Sequence, residues 1–198
     1  MSKLIQVNAE HPEPEIIEQA CRILEAGGRV VVPTETVYGI ACAPEHIETL
    51  YCAKERDRGK PIARLAASLE QVEALGADFG RDGKALAEKY WPGPLTLVLN
   101  TPEGTTGFRV PAHEVPLALA RAFGRPIALT SANKSGGADA TNAQDAFQCL
   151  ENDVPLFLDS GETSTQVPST VLLCSANETK ILREGAVSAE ELKRYTDS

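Results

Sequence analysis

The sequence predicts an α+β fold, with a twisted mixed sheet flanked by helices. Amphipathic helices alternate with β-branched runs in its first half, and short, closely spaced strands suited to hairpins crowd its second half. No repeat, low-complexity tract or long linker divides the 198 residues, a length that suits one domain spanning 1–198.

The elements read off in order. From Glu15 to Ala26 the residues Ile16, Ile17, Ala20, Ile23 and Leu24 form one helical stripe, opened by Pro14 and closed by Gly27-Gly28. Arg29 to Pro33 is a β-branched run, read as a buried strand. Ile47, Leu50, Tyr51 and Lys54 repeat at helical spacing and lead into a basic stretch. Ser68 with Gln71 has capping-box spacing and starts a helix towards Leu75. A helix over 81–90 precedes strands at 95–100 and 107–110, and another opens at Pro116 and stops at Gly124 before a strand at 127–130. Asn142 caps a helix to Leu150, short strands follow at 156–159, 170–174 and 180–183, and Ser188 with Glu191 caps a last helix.

Composition narrows the function. The chain has 19 basic and 28 acidic residues, a net charge of −9, so it is not generically attracted to nucleic acid and any anion site must be local. The five cysteines are scattered, with no C-x-x-C pair, and read as reduced and mostly buried. The three histidines lie far apart, so no metal-ligand spacing is present. No apolar run suits a signal peptide or a membrane span, which predicts a cytoplasmic protein.

Several stretches carry chemistry. Pro33-Thr34-Glu35-Thr36-Val37-Tyr38-Gly39 sets two hydroxyls and a carboxylate at a strand end, fit for a polar ligand or for a plain turn. Residues 54–64 hold five cations against two anions, a local +3; Gly59 and Pro61 end the helix, so Lys54 and Arg56 can face one site. An arginine fork and a lysine ammonium suit phosphate oxygens, while a solvated helix end explains the same residues. Tyr90-Trp91-Pro92-Gly93-Pro94-Leu95-Thr96 reads as a rigid hydrophobic corner. Arg109, between Phe108 and Val110, is either an edge salt bridge or a carboxylate receptor. Thr130 to Gly137 is a small, polar loop ending in two glycines, suited to an anion or nucleotide but matching neither a Walker A nor a G-x-G-x-x-G pattern. Pro168-Ser169-Thr170-Val171 and Ile181-Leu182-Arg183-Glu184-Gly185 each put a polar residue at a strand end.

In order, PTETVYG, K-x-R…KP, WPGPLT, RVP, SAN-x-SG, STV and ILR-x-G resemble the Sua5/YciO/YrdC family of threonylcarbamoyl-adenylate synthases, in the short form that resembles YrdC and TsaC. The resemblance runs from about Gly27 to Gly185. It implies a YrdC/RibB-like fold, a largely antiparallel mixed sheet with flanking helices around an open cavity. It also implies a reaction in which L-threonine, bicarbonate or CO2, and ATP with Mg2+ give threonylcarbamoyl-adenylate and pyrophosphate. That product feeds the N6-threonylcarbamoyl modification of adenosine 37 in tRNA, through a partner transferase. Carried over residue by residue, Thr34, Arg109, Ser131 and Ser169 fall on the threonine side. Lys54, Arg56, Lys60, Thr105, Asn133, Thr141 and Arg183 fall on the ATP side, with Lys54 and Arg56 as the catalytic cations and no metal ligand in the protein. Asp57 after K-x-R, Ala63-Arg64-Leu65 after the KP pair, and Ile40-Ala41 in place of Leu-Gly depart from the family pattern.

Two other readings are a non-catalytic module for double-stranded RNA, tRNA or ribosome maturation, and a family paralogue that adenylates a different substrate. The −9 charge and the lack of aromatic-basic repeats weigh against the first. The intact SAN motif weighs against the second.

Overall fold

The computed structural model describes residues 1–196. Its elements are β1 (Lys3–Gln6), α1 (Pro14–Glu25), β2 (Arg29–Val32), β3 (Gly39–Cys42), α2 (Glu48–Lys54), β4 (Ala63–Leu65), α3 (Leu69–Glu73) and α4 (Gly83–Tyr90). Then come β5 (Leu95–Thr101), β6 (Gly104–Arg109), α5 (Glu114–Phe123), β7 (Ile127–Ser131), α6 (Ala143–Leu150), β8 (Leu156–Asp159), β9 (Thr170–Cys174), β10 (Thr179–Arg183) and α7 (Ala189–Thr196).

All ten strands join one sheet in the order β1-β8-β2-β3-β7-β4-β6-β5-β9-β10. Five of the nine neighbouring pairs are antiparallel, so the sheet is mixed with an antiparallel majority among the described residues. The valines of β2 show how it is covered. Val30 and Val32 point into a core shared with α1 and α5, while Val31 faces the opposite side, towards α2 and α6. A third cluster lies under α4 and α7 against β5, β6 and β9. Leu24, Ile40 and Phe157 are fully buried, and each such side chain contributes ~1.5–3 kcal/mol.

The start signals at Ser68, Asn142 and Ser188 act as the sequence predicts, whereas helix α2 stops at Lys54, on left-handed Glu55, ahead of Gly59 and Pro61. Asn142 Oδ1 accepts from the Asp145 amide at 2.8 Å, and Ser68 Oγ accepts from the Gln71 amide at 3.3 Å. Ser188 and Glu191 form a reciprocal box, with Glu191 Oε2 accepting from the Ser188 amide and Ser188 Oγ from the Glu191 amide. Helix α5 starts earlier than its sequence indicates, because His113 Nδ1 caps the Val115 amide and leaves Pro116 inside the first turn.

Three strands carry no pattern that sequence reading detects. Strand β3 is buried on both faces and built from Gly39, Ile40, Ala41 and Cys42, so it does not alternate. Strand β1 is held by parallel pairing to β8, and β4 is a three-residue strand fixed between β6 and β7. Cys21, Cys42 and Cys174 are buried, whereas Cys52 and Cys149 are exposed. Burial pushes the Cys42 and Cys174 thiols up to about 11 and about 12, which keeps them protonated.

Candidate active site

The end of α2 and the loop after β7 form one unit. Lys54 is 1% exposed, and its Nζ donates to the carbonyls of Ser131 and of Asn133 (2.6 Å) and to Asn133 Oδ1 (2.7 Å). An ammonium has three N–H donors and no acceptor, so these three oxygens saturate it. Burial lowers its pKa to about 8; the Arg56 charge pushes the same way, and Asp139 opposes. Ser131 Oγ reaches Asn133 Oδ1 at 2.7 Å, and Asn133 Nδ2 donates to the Gly137 carbonyl (2.7 Å) and to Asp139 Oδ1 (3.3 Å). The Ser135 amide closes back on the Lys54 carbonyl at 3.0 Å. The loop is therefore shaped by side chains rather than left as open backbone.

Glu55 takes a left-handed conformation, φ 52°, which turns the chain sharply after Lys54. Arg56 Nε and Nη2 then donate to the carbonyls of Lys60 (3.0 Å) and Pro61 (3.1 Å), so the basic segment curls round its guanidinium. The Lys60 side chain is exposed. Arg58 leaves this group to pair with Glu48 at 2.7 Å, and Arg64 pairs with Glu103 at 3.2 Å.

Arg109 is 8% exposed at the end of β6. The Trp91-Pro92-Gly93-Pro94 corner, whose Trp91-Pro92 bond is cis, offers it the Gly93 carbonyl, 3.1 Å from Nε. Arg109 Nη2 lies 2.8 Å from Glu35 Oε2, yet the contact lacks hydrogen-bond alignment, and neither Nη2 nor either Glu35 oxygen has a hydrogen-bond partner. We read it as a charge contact.

Nearby, Arg183 Nη2 donates to the Ser169 carbonyl at 2.7 Å, and Ser169 Oγ meets Thr96 Oγ1 at 2.9 Å. Arg183 is an exposed residue whose guanidinium is tied down at Ser169 through Nη2. Burial lowers its pKa; Asp139 opposes, and Arg109 and Arg56 add to the lowering. Lys54, Arg56, Arg109, Arg183 and Asp139 thus lie within one electrostatic neighbourhood.

Other candidates sit differently. Thr34 is fully buried, and its Oγ1 closes its own turn through the Val37 carbonyl (2.6 Å) and the amides of Thr36 and Val37. Thr141 is half-buried and engages the Thr163 amide through its carbonyl. Thr105 Oγ1 donates to Asn100 Oδ1 across the exposed β5–β6 hairpin, and no hydrogen bond ties it to the cluster. A pocket of about 280 Å³ opens beside the loop, lined by Asn133, Lys134, Gly137, Asp139, Asp145 and Cys149 among others. A larger one of about 350 Å³, between the Glu45–Arg125 and Arg64–Glu103 pairs, holds none of these groups.

The Sua5/YciO/YrdC family model, described as "Telomere recombination", matches residues 22–185. The chain belongs to this family. Among its relatives, the threonylcarbamoyl-AMP synthase of Pyrococcus abyssi (strain GE5 / Orsay) is 34% identical over 207 residues, covering 98% of this chain and 61% of the relative. That of Bacillus subtilis (strain 168) is 34% identical over 191 residues, covering 89% of this chain and 55% of the relative. The chain therefore spans little more than half the length of these two family members. In the crystal structure of P. abyssi Sua5 complexed with L-threonine, 98% of this chain superposes on 61% of that one, with TM-score 0.91 and 33% identity.

Within this family fold, sequence reasoning left Glu35 and Asp139 unassigned. Glu35 was visible as the carboxylate of PTETVYG, but its partner Arg109 is remote in sequence. Asp139 carried no signal, being one acid in a polar loop of an acidic chain.

Proposed function

We propose that this protein is an L-threonylcarbamoyladenylate synthase, a nucleotidyltransferase that joins L-threonine, bicarbonate or CO2, and ATP and releases pyrophosphate. The observation that carries this reading is the shared electrostatic neighbourhood of Lys54, Arg56, Arg109 and Arg183, with Lys54 anchored on the Asn133 loop, in a chain of net charge −9. The product serves the threonylcarbamoyl modification of tRNA adenosine 37 in the cytoplasm, through a separate transferase. Among the described residues no helix is long and apolar enough to cross a membrane.

The chemistry follows from charge. Carbamate formed on the amino acid attacks the α-phosphorus of ATP, so two anions must be brought together. Arg109 receives the amino acid carboxylate, and Arg56 and Arg183 offset the negative charge that builds on the phosphates. Lys54 acts as a positioning residue: it fixes Ser131 and Asn133 and adds positive charge beneath them. Among the described residues no group of three or more His, Cys, Asp or Glu could hold a metal. Asp139, whose Oδ1 accepts from Asn133 Nδ2, is the carboxylate that would help hold a Mg2+ carried mainly by phosphate oxygens and water, and that ion would screen phosphate charge.

The test is pyrophosphate release with Mg2+, scored for dependence on ATP, bicarbonate and each of the twenty amino acids. Arg56→Ala should lower kcat/KM by about 30- to 1000-fold, equivalent to roughly 2–4 kcal/mol of transition-state stabilisation. Absence of pyrophosphate from the unaltered protein, with Arg56→Ala indistinguishable from it, would sink the reading. A clear preference for another amino acid would keep adenylation and replace threonine.

A further inference from the structure

Buried polar atoms without partners are few in folded proteins, and each one asks for a reason. Among the described residues five such side-chain atoms occur: Arg29 Nε, both carboxylate oxygens of Glu35, Arg109 Nη2 and Thr163 Oγ1. Three of the five belong to the one Glu35–Arg109 pair, so the deficit is local. Both residues are 8% exposed, and they are the buried ends of different elements: Glu35 in the turn after β2, Arg109 at the tip of β6. The turn is held from outside as well. The Thr165 amide (2.9 Å) and Ser164 Oγ (3.2 Å) both donate to the Glu35 backbone carbonyl, which brings residues 164–165 against it.

A structural ion pair offsets its desolvation only when its remaining lone pairs and protons are satisfied by further hydrogen bonds. Here a carboxylate able to accept about four hydrogen bonds accepts none, although a guanidinium stands 2.8 Å away. The pair is neutral as a unit, but each half has unused capacity of one sign. A ligand that completes both halves must bring an acceptor group for Arg109 and a cationic donor for Glu35 at short separation. An α-amino acid zwitterion has that composition. It also adds no net charge to a buried site, whereas a simple carboxylate leaves Glu35 facing a second anion.

We propose that Glu35 is the receptor for the α-ammonium group of the substrate, before carbamate forms on that nitrogen, and sets the preference of this site for an amino acid over the same acid without its amino group. The inference rests on the reading of Arg109 as the carboxylate receptor of an amino acid substrate, and it adds a specificity-determining residue to that site.

The experiment is calorimetric titration of the unaltered protein, Glu35→Gln and Glu35→Asp with L-threonine and with (R)-3-hydroxybutanoate, which is threonine without its amino group. The unaltered protein should prefer threonine by about tenfold or more. Glu35→Gln should shrink that ratio by about 10- to 150-fold, the range of a hydrogen bond to a charged group. Glu35→Asp, which keeps the charge, should hold an intermediate ratio. Taking the ratio of two ligands on one variant removes general effects of folding and of the lost counter-charge on Arg109. If Glu35 only neutralises Arg109, both ligands change alike and the ratio stands, which overturns the inference. Equal binding of the two ligands to the unaltered protein overturns it too, even if Glu35→Gln does not fold. Failure of the unaltered protein to bind threonine at all counts instead against the threonine synthase reading.

Discussion

Lys54 gives a prediction in which stability and activity move in opposite directions with pH. Its ammonium is buried, and its folded pKa is lowered from 10.5 to about 8. Below pH 8 both folded and unfolded chains hold this proton. Between about 8 and 10.5 the unfolded chain still binds it while the folded chain does not, so stability rises with pH through that window. The shift of roughly 2.5 units corresponds to about 3 kcal/mol in full, of which about 2 kcal/mol falls between pH 7.5 and 9.5. Activity follows the other sign. Loss of the proton leaves one of the three oxygens on Ser131 and Asn133 without its donor and removes a positive charge from the phosphate site, so turnover should fall as pH passes 8. Lys54→Met removes the titrating group and isolates its share, since the buried cysteines titrate with the opposite effect on stability. Urea unfolding at pH 7.5, 8.5 and 9.5 should show unaltered protein gaining about 2 kcal/mol relative to Lys54→Met over that range. A pH-independent difference between the two proteins would refute the buried, protonated Lys54 and the loop mechanism built on it.

Two further substitutions probe the same site. Asp139→Asn removes an anion that favours the charged forms of Lys54 and Arg183, so the alkaline limb of the pyrophosphate-release profile should move to lower pH; an unchanged limb separates Asp139 from the cluster. In Gly185→Ala the added methyl would sit 2.2 Å from the Pro168 carbonyl oxygen and 2.7 Å from the Ser169 carbonyl, so the end of β10 must shift away from Ser169. Thermal unfolding should record a loss of about 1–3 kcal/mol, and kcat/KM should fall with it because Arg183 reads its position from Ser169.

What could be read from the chain divides by distance in sequence. The caps at Ser68, Asn142 and Ser188 were legible because each satisfies amides within three residues. Strand β3 was not, because a strand buried on both faces loses its alternation, and β4 exists only through bonds to β6 and β7. The site divides in the same way. Its cations stood out as local clusters against an acidic chain, so Lys54 and Arg56 were found together. Which oxygens Lys54 meets, and that Arg109 meets Glu35, depend on strand order in a ten-stranded sheet, which no local pattern encodes.

That division explains how an acidic protein sustains an anion site. Arg58, Arg64 and Arg125 are cancelled at the surface by Glu48, Glu103 and Glu45, where exposed pairs stabilise by about 0–1 kcal/mol and are screened by salt. Lys54, Arg56, Arg109 and Arg183 share a neighbourhood with Glu35 and Asp139, four cations with two carboxylates. Lys54 and Arg109 are buried, so their charges act through a lower effective dielectric and count for more at the distance of a bound phosphate than the screened negative total. The field that matters for catalysis is thus set by where the fold gathers more cations than carboxylates, and the whole-chain charge says little about it.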